Sequence, residues 1–70
     1  MKYLVVVEPT ATGFSAFSPD VPGCVATGSS LGDVEREMAN AIAFHIDGLR
    51  AEGLPVPEAH ASSTYVEVPA

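Results

Sequence analysis

The sequence has a single cysteine and no tryptophan among its 70 residues. With Cys24 alone, no intrachain disulfide can form, and the covalent staple of many small secreted domains is excluded. Structural zinc is poorly served too. It requires several thiolate, imidazole or carboxylate ligands at close spacing, whereas Cys24, His45 and His60 are far apart in the chain. Basic side chains are scarce, three against nine acidic, for a net charge of −6. Nucleic-acid affinity comes largely from phosphate neutralisation, so no direct nucleic-acid partner is expected. An acidic surface suits a basic protein partner instead. Long apolar runs are also missing. The first, Tyr3–Val7, meets Glu8 and Pro9 too soon for a secretory signal, and no run approaches the ~20 residues that span a bilayer. The expectation is a soluble, cytoplasmic protein without a membrane partner, a metal or a cofactor.

Hydrophobic residues make up 47% of the chain, but ten of them are Ala and nine are Val. Such side chains build thin, closely packed layers. A chain this short buries only about 60% of the surface that it exposes when unfolded. Without disulfide or metal, oligomerisation is the remaining remedy, so the protein itself, as a dimer or higher assembly, is the first expected partner.

Along the chain, Tyr3–Val7 reads as a strand rich in β-branched residues. Glu8–Gly13 is a turn punctuated by Pro9 and Gly13. Phe14–Ser18 is a second strand, with Phe14, Ala16 and Ser18 on one side and Ser15 and Phe17 on the other. Pro19–Gly23 is a stiff connection, with Gly23 supplying positive φ. Cys24–Thr27 is a short third strand closed by Gly28. A long helix follows. Ser30 is its N-cap, and Asp33 approximates a capping box. Leu31, Val34, Met38, Ala41, Ile42 and Leu49 form its apolar stripe, with His45 on the same side. Arg50 lies in the last turn, and Gly53 ends the helix. Two prolines make Leu54–Pro57 irregular, Glu58–Ser63 is loop, and Thr64–Val68 alternates as a fourth strand before Pro69.

The expected fold class is therefore α+β with order β-β-β-α-β. An antiparallel meander is followed by one long helix on one face, and the fourth strand returns parallel to the first by a right-handed crossover. The predicted sheet order is 3-2-1-4, with the first strand central. That strand is apolar on both sides, Tyr3, Val5 and Val7 on one and Leu4 and Val6 on the other. The helix segment Ala41–Ile46 is apolar nearly all round, and Phe44 and Ile46 extend beyond the stripe. Phe44, Ile46, Tyr3, Val5 and Val7 are thus the candidates for an oligomer or partner interface.

The segments Tyr3–Glu8, Gly13–Ala16, Pro19–Cys24 and Thr27–Ser29 together resemble the HicB-like antitoxin family. Ala41–Leu49 and Gly53–Pro57 continue the likeness over nearly the whole chain. Asp20-Val21-Pro22-Gly23-Cys24 is its most specific piece. The resemblance implies a partial RNase H-like fold without nuclease activity, in which the Pro19, Asp20, Pro22 and Gly23 turn is structural. It also implies a partner, a small basic HicA-type toxin that cleaves mRNA. Typical relatives add a C-terminal DNA-binding domain that represses their own operon. Residues 1–70 are expected to be a single HicB-like domain without one.

Catalysis is not expected. Two-metal nuclease chemistry needs carboxylates converging on ions about 3.5–4 Å apart. The acidic candidates are Glu8, Asp20, Asp33 and Asp47, and each has a local role at a strand end, turn, helix cap or helix end. Cys24 reads as a small buried apolar side chain. Three functions compete: a toxin-neutralising protein, a stand-alone homo-oligomeric HicB-like protein with no toxin, and a divergent enzyme.

Overall fold

The computed structural model describes residues 1–70. Strands β1 (Val6–Pro9), β2 (Phe14–Phe17) and β3 (Val25–Gly28) precede helix α1 (Leu31–Ala51). The strands form an antiparallel sheet in the order β1-β2-β3. Register sorts the side chains by face. Val7, Ala16 and Ala26 align on the inner face beneath the helix. Val6, Phe17 and Val25 align on the outer face.

Ladder pairing in β1 begins three residues later than the apolar run does. Pro9 belongs to the strand, not to the turn, and pairs with Phe14. A proline is tolerated there because β1 is an edge strand, whose last residue can do without an N–H. The turn is closed by Thr10 N donating to Gly13 O at 2.8 Å. Between β2 and β3, Val21 N donates to Ser18 O and Cys24 N to Val21 O, each at 3.2 Å. Pro22 and Gly23 (φ +85°) are the central residues of the second turn, the type II arrangement in which only glycine is unstrained at the third position. This double turn folds Val21 inward until it is fully buried.

Helix α1 starts where the sequence places it. The Ser30 hydroxyl accepts from Asp33 N at 3.1 Å. Asp33 does not complete a reciprocal box. Its carboxylate accepts from the Ser29 hydroxyl at 2.9 Å and pairs with Arg36. Those hydrogen bonds hold the Asp33 carboxyl below its ordinary pKa. A carboxyl depressed in the folded state stabilises the fold above its unfolded pKa, and that contribution is lost as pH falls through the folded value. Acid titration of helicity should therefore show a loss below the ordinary carboxylate range, and Asp33→Asn should flatten it. At its other end, Gly53 (φ +70°) donates to Arg50 O and Leu54 N to Leu49 O. This is the paired Schellman closure, which satisfies two orphan carbonyls.

Val34, Met38, Ile42 and Ile46 are buried at strict four-residue spacing. With Ala16, Val21 and Cys24 they make up the core. The helix packs mainly on β3 and less on β2.

The fourth strand is a correction. Thr64–Val68 forms no ladder, and the sheet has three strands with β1 at its edge rather than its centre. The cause lies in the segment after the helix. The Tyr3 hydroxyl donates to Pro57 O at 2.6 Å. One Asp20 carboxylate oxygen accepts from both His60 N and Ala61 N, at 3.0 and 2.8 Å. Asp20 follows β2, near the end of the sheet where the Ser18 hydroxyl donates to Leu4 O. Beyond that anchor the chain forms no ladder with β1. Beyond Ala61 every side chain is exposed, and Tyr65 is wholly so.

Candidate functional site

The solvent side of α1 carries an unusual residue. Phe44 is 83% exposed. Glu37, Asn40, Phe44 and Asp47 follow one another at three- or four-residue spacing, so they share one helix face. An aromatic ring set among carboxylates is suited to inserting into a basic partner.

Ile46 does not share that exposure. The sequence pattern sets it outside the stripe beside Phe44, yet it is 7% exposed and belongs to the core. The reason is register: it continues the Val34–Met38–Ile42 spacing, which wins over the Ala41–Leu49 line. Tyr3, Val5 and Val7 are half-buried and pack against the core from the helix side of the sheet. Tyr3 and Val5 also line a groove of about 480 Å³ between the N-terminal segment and one flank of α1, with Ile42, Ile46 and Arg50 opposite.

The second apolar surface is the outer face of the sheet. Val6, Phe17 and Val25 stand in one cross-strand row, and Phe17 and Val25 are exposed. Phe17 could be assigned to the outer face by alternation alone. Its alignment with Val6 and Val25 depends on strand register, which alternation does not carry.

Chemistry-bearing side chains do not converge. Cys24 is buried, its thiol pointing at Ala41 O at 3.8 Å, and burial pushes its pKa up. His45 is half-buried without a side-chain hydrogen bond, and exposed His60 lies 3.4 Å from Glu58. Glu8 is exposed at the end of β1, Asp33 caps the helix, and Asp47 lines the groove. Asp20 is the residue whose role the sequence understates. Pro19, Asp20, Pro22 and Gly23 lie in the double turn between β2 and β3, and Asp20 also holds chain forty residues away. No helix is long and apolar enough to cross a membrane.

The family model of the HicB-like antitoxin of bacterial toxin–antitoxin systems matches residues 3–70. The chain belongs to the HicB-like antitoxin family. Its likeness extends to a curated relative, an uncharacterised 14.9 kDa protein from the rep-hol intergenic region of Haemophilus phage HP1, 30% identical over 69 residues. That alignment covers 99% of this chain and 52% of the relative, so the chain spans about half the length of the curated relative it matches. Among solved structures, a chain of the HicA3 and HicB3 toxin–antitoxin complex superposes with a TM-score of 0.72 at 32% identity. It is matched over 86% of this chain and 70% of that one. The three antiparallel strands and long helix are thus a HicB-like arrangement.

Proposed function

We infer that this HicB-like protein is a non-catalytic, cytoplasmic antitoxin-type protein that binds and neutralises a small basic HicA-type mRNA-cleaving toxin. Residues 1–70 act in this reading as one HicB-like domain, and DNA contact is no part of its role. The observation that carries the reading is Phe44, exposed on an acidic helix face in a member of an antitoxin family. Burial of an aromatic anchor at an interface centre typically dominates affinity. Rim carboxylates such as Glu37 and Asp47 steer a basic partner and set the salt dependence.

The test pairs the protein with the small basic protein encoded beside it. Co-expression should relieve growth arrest, and the purified proteins should form a stable complex. Phe44→Ala should weaken that complex about 30-fold or more, the effect of an interface hot spot. Glu37→Arg with Asp47→Arg should slow association, most clearly at low salt. All these positions are exposed, so circular dichroism should be unchanged. Failure of any such neighbour to bind would overturn the antitoxin reading. Wild-type affinity in Phe44→Ala would move the contact to another surface.

A further inference from the structure

Two segments of this chain have strand-like sequence but no strand partner. The first is Tyr3–Val5, which leads into β1 and is half-buried. The second is Thr64–Val68, which alternates Thr, Tyr, Val, Glu, Val and is exposed throughout. Neither residues 1–5 nor 55–70 take part in any ladder, or in any of the seven backbone hydrogen bonds of turns, loops and caps. Half-buried backbone donors and acceptors normally find partners, and an unpaired strand edge is a template for another strand.

The surroundings fit the missing partner. The groove beside Tyr3 and Val5 is floored by Ile42 and Ile46, where the inward side chains of a strand added to β1 would rest. Val66 and Val68 lie on one face of the Thr64–Val68 segment, and Glu67 lies on the other. Charge agrees. Of the three basic residues in the chain, Arg36 is paired with Asp33. Arg50 lines the groove, which also carries Glu35 and Asp47, whereas Lys2, between the lining residues Met1 and Tyr3, falls on the outer side of that edge. With Val66 and Val68 turned into the groove beside Tyr3, Glu67 falls on the Lys2 side of the edge.

Within one chain the segment does not pair with that edge: Asp20 holds His60 and Ala61, and Thr64–Val68 beyond them is exposed and outside every ladder. A second copy can supply the missing strand. We propose that the protein forms a two-fold dimer by strand exchange, in which Thr64–Val68 of each copy adds to the free edge formed by Tyr3–Val5 and β1 of the other. The contact is isologous and closed, so it ends at two subunits. Backbone pairing supplies the affinity, and the alternate side chains supply the specificity. Phe44 does not line the groove, so this dimer leaves its ring uncovered.

Sedimentation of the whole chain at micromolar concentration tests the proposal. The wild type should be dimeric. Val66→Asp with Val68→Asp alters only exposed side chains of the monomer and should give a folded monomer by circular dichroism. Lys2→Glu should weaken the dimer at least tenfold, about 1.4 kcal/mol. Adding Glu67→Lys to Lys2→Glu should restore it. Phe44→Ala should leave the dimer intact, so failure of the toxin reading and failure of strand exchange remain distinguishable. A monomeric wild type overturns the proposal, and protected Tyr3–Val5 amides in such a monomer would show closure within one chain. A double-aspartate variant that dimerises as tightly as wild type also overturns it and assigns the contact to another surface, such as the Val6–Phe17–Val25 row.

Discussion

Met38→Ala is expected to cost about 2–5 kcal/mol, as large-to-small changes at fully buried sites do. Met38 is the largest of the side chains with no measurable exposure, ahead of Val21 and Val34. It sits at the middle of the four-residue repeat by which α1 meets the sheet. The core has only seven residues, so little remains to relax into the space. A domain holds roughly 0.05–0.15 kcal/mol of stability per residue, which makes the loss a large part of the total. Urea unfolding followed by circular dichroism should show a midpoint shifted far down or no folded baseline at all. A midpoint within error of wild type would mean that the packing of α1 on β2 and β3 contributes far less than its burial implies. Met38→Leu conserves volume and should cost less than about 1.5 kcal/mol.

The second large effect comes from adding an atom. A methyl at Gly28 would lie 2.6 Å from Val34 N and 3.0 Å from Val34 Cα. Both are backbone atoms of the first helical turn, and Val34 N already donates to Ser30 O at 3.0 Å. The helix would have to lift from β3 to admit it. Gly13 stacks on the opposite side, where an added methyl would come 2.3 Å from Gly28 O. Gly28→Ala should therefore destabilise by at least the 1–3 kcal/mol that is typical of overpacking, roughly. Gly48 is the built-in control. It lies within α1 with nothing inside 4 Å of an added methyl, and alanine there should stabilise by about 1 kcal/mol through helix propensity. Equal and small effects at the two sites would contradict the close contact between β3 and the helix.

The elements that could be read from the sequence are those whose signal is local. Ser30 and Gly53 bracket the helix because capping chemistry needs only neighbouring residues, and the Pro22-Gly23 turn is fixed by its own φ preferences. Val34, Met38 and Ile42 announce the buried face by spacing alone. Ile46 escaped because Ala41–Ile46 is apolar on every side, so a pattern of hydrophobicity cannot say which side is covered. The fourth strand failed for a different reason. Thr64–Val68 has the alternation of a strand, but a strand needs a paired edge, and beyond the hydrogen bonds of Asp20 to His60 and Ala61 the chain is exposed and unpaired. Nothing local to Asp20 reveals an acceptor for amides forty residues on. Of the candidate site, Phe44 could be found as an apolar residue off the stripe, whereas the Val6–Phe17–Val25 row emerges only when register is known.

The last tie of the chain to its own domain is at Ala61. Residues 62–70 are therefore a leash, able to span about 30 Å at 3.3 Å per residue. Any module fused after Ala70 to a lone copy would roam a hemisphere of that radius and meet a ligand at an effective concentration set by the tether. In the exchanged dimer the same residues are woven into the neighbour's sheet, and the leash is used up. Two such modules would then be mounted at a fixed span across a two-fold axis, each carried by the other subunit's domain.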